Sequence, residues 1–304
     1  YGDHRDLHRV DRRQRQMCIR DRFRDRASTV LYDVLMTLNK DIKFLLPLNI
    51  CPIVPDTFLE AGLKFEFVDI DLKTLCMDKK LALEAIKNDK SISGILFVKT
   101  FGIELNTEDF YQKIKALNRN FFVIDDQCLS FPKFDFDINN SFASLVLFSS
   151  GYSKYVDIGY GGFGFLKDIE FKESLQDNKN SKLFLDYQNE IKGKIPLISE
   201  HKSKLNAIYQ KGIPSNMHLG RSFESWRFSV LIDKKNDLLE AIFQEQGLFA
   251  SSHYAPIDSK YKDNPIQNSN TYRISSKIVN FFNDFRFTEE KAADIVKIIN
   301  NFVK

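Results

Sequence analysis

Several features that mark other classes of protein are missing or scarce in this 304-residue sequence. No apolar run reaches the roughly 18 residues that a membrane-spanning helix needs. The four cysteines lie far apart and form no CxxC pair, so neither a zinc ribbon nor a disulfide framework is expected. With only 13 glycines and 8 prolines, the composition argues against collagen-like and low-complexity sequence. We therefore expect a globular protein in a reducing, cytoplasmic setting.

Arginine is scarce everywhere except at the start of the chain. Residues 1–26 contain nine Arg, five Asp and no Lys, whereas the remaining 278 residues contain five Arg and 30 Lys. The net charge of +3 is therefore the sum of +4 for this first segment and −1 for the rest. A nearly neutral body gives no support for a nucleic-acid or membrane partner.

The Arg-rich start has three interpretations. It can be a basic arm that binds nucleic acid through counterion release, but interleaved aspartates and the lack of Phe, Tyr and Trp from residue 2 to residue 22 for base stacking argue against this. It can be a disordered tail. It can also be non-native, because residues 15–22 (RQMCIRDR) resemble translated read-through of a sequencing adapter. We favour a non-native or disordered segment at 1–26 and leave it out of the predicted fold.

From residue 27 onward, apolar segments with strand and helix character alternate. Strands are predicted at 43–46, 65–69, 94–98, 121–124 and 145–148, and helices at 30–38, 53–61, 79–87 and 107–117. Both faces of these strands are apolar, which is typical of a parallel sheet covered by helices on both sides. The fold class is therefore α/β with a mostly parallel sheet, and residues 27–167 form its large domain.

The second half of the chain has a different character. Residues 168–216 are polar and predict an irregular helical connection, with helical stretches near 181–191 and 198–210. Residues 217–304 predict a smaller C-terminal α/β domain. Its elements are a strand at 226–232 and helices at 238–246 and 288–302.

Polar side chains cluster where the predicted strands end, which is where parallel sheets bind ligands. Asp125 and Asp126 end one strand, and Ser149 ends the next, shortly before Lys154 and a glycine cluster at 159–164. This combination suits pyridoxal 5'-phosphate (PLP). The cofactor needs a lysine for its Schiff base, a carboxylate for its pyridine nitrogen, and hydroxyl and backbone N–H groups for its phosphate. A nicotinamide enzyme is disfavoured, because no GxGxxG follows the first strand.

The order and spacing of these segments resemble the DegT/DnrJ/EryC1/StrS family of PLP-dependent sugar aminotransferases, which has the aspartate-aminotransferase fold type I. That family carries a strand-end Asp about 28 residues before its lysine, as do Asp126 and Lys154 here. The resemblance covers roughly residues 27–303. It extends to Asp69-Ile70-Asp71, Phe101-Gly102, Trp226-Arg227-Phe228 and His253-Tyr254-Ala255-Pro256.

The resemblance implies a role for each matching site residue. Lys154 would be the Schiff-base lysine and proton shuttle, and Asp126 the partner of the pyridinium, with Asp125 as the next candidate. Phosphate ligands would be Ser149, Ser28 and Thr29, although the last two serve equally well as N-caps of the first helix. We interpret Trp226 and Arg227 as core and dimer contacts, and His253 as structural. No metal is expected.

Some positions depart from the family pattern. Leu129 stands where the family usually has Gln or His, and Cys51 stands where an aromatic side chain often stacks on the cofactor. No Asn-Tyr-Arg-like segment is recognisable within 168–216, and the family's N-terminal arm and first helix are not recognisable either. We therefore expect an N-terminally truncated chain.

The resemblance implies an aminotransferase that moves an amino group from an amino-acid donor to a keto-sugar, of the nucleotide-linked kind. The protein would act as a homodimer in polysaccharide or amino-sugar biosynthesis, without nucleic acid or membrane. The alternative is a PLP-binding relative with other sugar chemistry, such as dehydration, or with lost activity. Lys154 argues against the dehydratases that replace this lysine with histidine.

Overall fold

The computed structural model describes residues 21–167 and 177–302. A seven-stranded sheet forms the larger unit, in the order β1-β7-β6-β5-β4-β2-β3. Strands β2 to β6 are parallel, whereas β7 is antiparallel to both β6 and β1. The strands are β1 (Asp21–Arg24), β2 (Lys43–Pro47), β3 (Lys64–Val68), β4 (Ile92–Val98), β5 (Phe122–Asp126), β6 (Leu145–Ser149) and β7 (Gly162–Leu166).

Helices cover both faces of this sheet. Helices α1 (Ala27–Met36) and α2 (Ile53–Glu60) pack on one face, and α3 (Lys79–Asn88), α4 (Glu108–Leu117) and the first half of α5 (Asp177–Gly212) pack on the other. The predicted mostly parallel α/β sheet is thus confirmed, and its parallel strands lie close to the predicted positions. No helix in the two described ranges has both the length and the apolar character needed to cross a bilayer.

A smaller unit follows in the chain. Its sheet is antiparallel in the order β8-β10-β9, formed by β8 (Phe228–Leu231), β9 (Ala250–Ser251) and β10 (Ile278–Phe281). It packs with α6 (Lys235–Gln244), α8 (Glu289–Phe302) and the second half of α5, while α7 (Asn270–Ser275) precedes β10. Short 3₁₀ helices occupy Thr100–Gly102, Ile138–Asn140, Ser215–Met217, Arg221–Phe223 and Asp258–Lys260.

The two helical stretches expected near 181–191 and 198–210 are one helix in the structure. Helix α5 runs for 36 residues and contains Pro196. A proline inside a helix removes one backbone hydrogen bond, but buried side chains anchor this helix on both sides of it. Tyr187 and Ile191 pack in the large unit, and Leu205 and Tyr209 pack in the small one. Tertiary packing therefore outweighs the local signal, while residues 168–176 lie outside the described part of the chain.

The first strand of the sheet lies within residues 1–26, the segment predicted to be non-native or disordered. Residues Asp21–Arg24 form β1, which pairs with β7 from Asp21–Phe165 to Arg24–Gly162. The boundary at residue 26 therefore falls after the first strand rather than before the fold. Residues 1–20 lie outside the described residues.

The glycine cluster contributes strand β7, which the sequence does not predict. A Cβ atom on Gly162 would lie 2.1 Å from the backbone nitrogen of Ala27, the first residue of α1. Since Gly162 also pairs with Ser149 across β6 and β7, the missing side chain lets the start of α1 dock beside the end of β6. Gly162 thus serves backbone packing.

We predict that Gly162→Ala destabilises the protein by about 1–3 kcal/mol, because the new methyl group must displace α1 from the sheet. Gly193→Ala is the matched control. Gly193 lies within α5 with no atom near the position of an added Cβ, so alanine should raise stability by up to about 1 kcal/mol. Urea unfolding measures both changes. Equal midpoints for Gly162→Ala and the wild type would contradict the docking argument.

The amine of Lys202, a residue of helix α5, is buried where this helix packs against the small unit. Lys202 is 4% exposed, and its Nζ donates to the carbonyl of Trp226 at 2.9 Å and to Oδ1 of Asn283 at 2.8 Å. Burial lowers the pKa of Lys202 to about 7; nearby Asp284 opposes this shift, and Arg227 adds to it. In the folded protein the Lys202 amine therefore loses its proton near pH 7, whereas in the unfolded chain it keeps the proton up to its ordinary pKa of 10.5.

Because the unfolded state binds more protons between these two pKa values, the free energy of unfolding should rise with pH from about 7 toward 10. Lys202 should contribute at most ~1.4 kcal/mol per pH unit to this slope. Urea unfolding at several pH values should show a shallower slope for Lys202→Met than for Lys211→Met, which removes an exposed lysine from the same helix. Identical slopes for the two variants would refute the predicted titration.

Candidate functional site

The two acids that end β5 point to opposite faces of the sheet, because side chains alternate along a strand. Val123 packs on the face covered by α3 and α4, and Ile124 packs on the face covered by α1 and α2. Asp125 therefore shares the α3–α4 face, and Asp126 shares the α1–α2 face. Asp126 is 6% exposed, and its Oδ1 accepts the backbone N–H of Cys128 at 2.9 Å.

The Asp125 side chain is hydrogen-bonded and ion-paired on the α3–α4 face of the sheet. One of its oxygens, Oδ2, accepts a hydrogen bond from Nε2 of Gln127 at 2.7 Å and lies 3.5 Å from Nζ of Lys99. Burial raises the pKa of Asp125, and the Lys99 charge opposes this shift. A cavity of about 340 Å³ opens on this side and is lined by all three side chains, but not by Lys154 or Asp126. We therefore interpret Asp125 as part of a structural pair.

Ser149 lies on the same face as Asp126. It follows Leu145 and Leu147 along β6, and both leucines pack on the α1–α2 face. Its side chain is buried, and its Oγ accepts the N–H of Gly151 at 3.3 Å. The neighbouring Ser150 is more firmly bonded, with its Oγ 2.7 Å from the carbonyl of Tyr160. The Ser149 hydroxyl also donates to the carbonyl of Gly161, at 3.4 Å, which is a longer bond than the one that Ser150 makes.

Ser28 and Thr29 lie in the first turn of α1, beside the end of β6. Neither is the N-cap: that position is held by Arg26 in an extended conformation, and no side chain caps the helix. The N-cap interpretation of Ser28 and Thr29 is therefore wrong, because docking on Gly162 makes α1 begin at Ala27. Ser28 is half-buried and Thr29 is exposed. The first N–H groups of α1 and these hydroxyls are available to an anion.

Lys154 is presented by a turn that the small unit holds in place. Ser153 adopts the left-handed region at φ 60, its N–H donates to Oδ2 of Asp157 at 2.7 Å, and its carbonyl accepts Nε1 of Trp226 at 2.5 Å. Nη1 of Arg286 also lies 3.4 Å from the Ser153 hydroxyl. These three contacts fix the residue directly before Lys154.

The charges of Lys154 and Asp126 both act on the thiol of Cys128. Burial and the Asp126 carboxylate raise the pKa of the Cys128 thiol, and the charge of Lys154 opposes that shift. Lys154 also contributes to lowering the pKa of His253 to about 4, after burial and the charge of Arg227. Within residues 21–167 and 177–302, the Lys154 side chain makes no hydrogen bond or ion pair, so its amine is free to react.

The small unit supplies an aromatic wall opposite these groups. The rings of Trp226 and Tyr254 stack with centroids 6.4 Å apart, and His253 lies 5.6 Å from Trp226. Tyr254 also contacts Phe101, which follows β4, at 5.8 Å. Burial raises the pKa of Tyr254; the charge of Arg227 opposes this shift, and the carboxylate of Asp126 adds to it. This wall places Tyr254, a residue that sequence reasoning missed, within the electrostatic range of the strand-end acid.

The structure also clarifies the departures from the family pattern. Leu129 is buried in the core on the α3–α4 face and does not replace a polar ligand in the site. Cys51 is exposed on the loop after β2 and lies within electrostatic range of Tyr254 and Cys128. A small thiol therefore stands at the position where the family pattern often has a stacking aromatic side chain.

The residues present fit PLP. One face of the sheet carries a free amine, a buried carboxylate at a strand end and a hydroxyl beside a helix N-terminus, which are the three kinds of group that this cofactor needs. Among the described residues, no group of three or more His, Cys, Asp or Glu side chains could hold a metal ion.

No family model matches the sequence, and no curated protein matches it. Solved structures do match. PseC of Helicobacter pylori, an aminotransferase involved in the biosynthesis of pseudoaminic acid, has 14% identity and a TM-score of 0.73, over 92% of this chain and 86% of PseC. The PLP form of Spr1654 of Streptococcus pneumoniae has 13% identity and a TM-score of 0.74, over 99% of this chain and 91% of Spr1654.

A third similar structure has a different activity. It is the GDP-4-keto-6-deoxy-D-mannose-3-dehydratase of E. coli with bound hydrated PLP, with 18% identity and a TM-score of 0.69, over 92% of this chain and 87% of the dehydratase. At these identities, the likeness concerns the fold. The chain has the same fold as these proteins, namely fold type I of the PLP-dependent transferases, as the sequence predicts.

Proposed function

We propose that this protein is a PLP-dependent aminotransferase that moves an amino group from an amino acid to a keto-sugar of the nucleotide-linked kind. The proposal is supported by Asp126 and Ser149, which lie at the ends of neighbouring strands on the same face of the sheet. Lys154 follows Ser149 by five residues, and its charge acts on Cys128, which neighbours Asp126 in sequence. The likeness to PseC supports sugar transamination as the reaction class.

Each residue has a distinct part in holding the cofactor. Lys154 would bind it covalently through the unpaired amine. Asp126 would accept a hydrogen bond from the pyridinium, and its negative charge would keep that nitrogen protonated. Ser149, Ser28 and Thr29 would bind the phosphate together with the N–H groups that begin α1.

When bound, PLP acts as an electron sink that stabilises negative charge on the substrate carbon next to nitrogen. Lys154 then serves as the acid and base, since its amine can take a proton from that carbon and return one. In the first half-reaction the donor would leave its amino group on the cofactor and, with the oxygen of one water, depart as a keto acid. In the second, that amino group would pass to the keto-sugar, whose carbonyl oxygen would leave as water, and Lys154 would return the proton to the sugar carbon. The wall of Trp226, Tyr254 and Phe101 excludes water from this transfer.

Dehydration of a sugar is the second candidate function for this protein. The likeness to the E. coli dehydratase supports the second reaction, in which the sugar loses a hydroxyl group and gains no nitrogen. The free amine at Lys154 favours transamination, because a retained lysine can return a proton to the carbon that receives nitrogen. Mass spectrometry of the product separates an amino-sugar from a deoxy-sugar.

We further propose a homodimer that acts in the cytoplasm, in polysaccharide or amino-sugar biosynthesis. The resemblance to the sugar aminotransferase family supports this assembly. Light scattering of the purified chain tests it, since a monomer at micromolar concentration would oppose it.

We predict that the protein purified with PLP absorbs near ~420 nm, the region expected of a lysine-bound cofactor. The band should be absent in Lys154→Ala, because no other residue would bind the cofactor covalently. Lys113→Ala removes an exposed lysine from α4 and should keep the band. A colourless wild-type protein would refute both transamination and PLP-dependent dehydration.

The two acids of β5 should behave differently. Asp126→Asn should still take up PLP but should lose more than ~100-fold of the rate at which L-glutamate bleaches the ~420 nm band, since the ring nitrogen loses its counter-charge. Asp125→Asn should keep this rate within ~10-fold, because Asp125 faces Lys99 on the other side of the sheet. Stopped-flow absorbance compares the variants. A reversed ranking would assign the pyridinium to Asp125.

A further inference from the structure

The residue before Lys154 has a backbone conformation that its side chain disfavours. Ser153 adopts a φ of 60°, in the left-handed region that residues other than glycine rarely occupy. Strain of this kind persists only where surrounding contacts hold it, and it is concentrated at functional sites. Because the backbone of Ser153 sets the direction in which the chain enters Lys154, whatever holds Ser153 also directs the lysine side chain.

The carboxylate of Asp157 holds this conformation from within the loop. Its Oδ2 accepts the N–H of Ser153 at 2.7 Å, and its Oδ1 accepts the N–H of Gly159 at 3.0 Å. Gly159 also has a positive φ, of 81°. Hydrogen bonds to an ionised carboxylate are stronger than those between neutral groups. Asp157 therefore ties together two left-handed residues, one before Lys154 and one after it.

The neighbours of Asp157 fix the position of its carboxylate. Val156 is fully buried in the core on the α3–α4 face of the sheet. On the other side, the N–H of Ile158 donates to the carbonyl of Ser150 at 3.0 Å and closes the loop. Since Asp157 lies between these two anchored residues, the core of the large unit supports the carboxylate that binds Ser153.

Contacts from the small unit act on Ser153 in a different way. Nη1 of Arg286 lies 3.4 Å from the Ser153 hydroxyl, and Nε1 of Trp226 donates to the Ser153 carbonyl. The pKa of Arg286 is raised mainly by its hydrogen bond to Asp284; burial opposes this shift, and the charge of Asp157 adds to it. Arg286 thus binds the side chain, whereas Asp157 binds the backbone N–H, whose direction follows from φ.

We propose that Asp157 is a positioning residue for Lys154, which fixes the direction of the lysine side chain by holding Ser153 in the left-handed conformation. The inference rests on the proposed function, because it gives Asp157 a part in the proton transfer that Lys154 performs. Asp157 acts through the backbone of Ser153 and without contact to cofactor or substrate. Its loss should slow the reaction, since a small displacement of a reacting group lowers the rate strongly.

The variant Asp157→Ala removes both hydrogen bonds, and Asp135→Ala, which removes an exposed aspartate, is the matched control. With PLP bound, Asp157→Ala should keep the ~420 nm band but lose at least ~10-fold of the rate at which L-glutamate bleaches it. The pH midpoint of the band should also move, because the band depends on the nitrogen that Lys154 contributes. Asp135→Ala should match the wild type in both measurements. A wild-type rate and midpoint in Asp157→Ala would overturn the proposal.

Glycine at position 153 should make the Asp157 carboxylate dispensable, because glycine adopts a left-handed φ without steric cost. We expect Asp157→Ala combined with Ser153→Gly to regain at least ~3-fold of the lost rate. Asp157→Ala combined with Ser153→Ala should stay as slow as Asp157→Ala alone, since alanine keeps the steric cost but also lacks the hydroxyl. Equal rates in the two double variants would contradict the role of the left-handed conformation.

A second substitution keeps the inference testable if Asp157→Ala does not fold. Asp157→Asn retains the size of the side chain but offers one acceptor oxygen in place of two. It should therefore lose at least ~3-fold of the rate of bleaching by L-glutamate. Wild-type behaviour of Asp157→Asn would exclude a need for the second bond and so overturn the proposal in its present form.

Hydrogen exchange without cofactor separates this inference from the proposed function. In the full-length protein purified without PLP, mass spectrometry of peptides that cover residues 150–160 reports whether the N–H groups of Ser153 and Gly159 are bonded. Exchange there should be at least ~10-fold faster in Asp157→Ala and unchanged in Asp135→Ala. Failure of the wild type to take up PLP would refute the proposed function, while the exchange rates would still report on the hold of Asp157. Normal PLP uptake with an unchanged glutamate rate in Asp157→Ala would refute the positioning role alone.

Discussion

The hydrogen bond from Trp226 to the carbonyl of Ser153 is the contact on which the site depends. It joins the small unit to the turn that carries Lys154, across 73 residues of sequence. Ser153 adopts a left-handed conformation that a non-glycine residue rarely takes without support. The buried Lys202 holds the carbonyl of Trp226 from the other side. The turn that carries Lys154 is therefore held both by contacts between the two units and by bonds within its own loop.

Strand alternation gives β5 two carboxylates with separate tasks. Asp125 pairs with Lys99 beneath α3 and α4, and Asp126 turns to the face that carries Ser149 and the start of α1. One strand end can thus support the core and still offer a charge to a ligand. This division places positive charge from Lys99 on one face and leaves the proposed cofactor face with the Asp126 carboxylate and the Lys154 amine.

Sequence patterns were sufficient for the parallel strands because each is a continuous apolar run with polar residues at its end. The same pattern predicted that the polar residues after β5 and β6 share one edge of the sheet, since parallel strands align their carboxyl ends. It was not sufficient for β7, whose glycines resemble a loop, or for α5, whose proline and polar residues resemble a break. Both elements exist because they pack: Gly162 admits α1, and Tyr187 and Leu205 anchor α5 at either side of Pro196.

The sequence by itself determined the α/β class and the strand-end acid, serine and lysine, because hydrophobic period and chain order are local properties. Tertiary structure alone decided that α1 begins at Ala27, that Asp125 faces Lys99, and that Arg227 lies buried against the rings of Trp226 and Phe282. These outcomes depend on which surfaces meet across long stretches of chain. A guanidinium between two rings from different segments has no signature in the sequence around it.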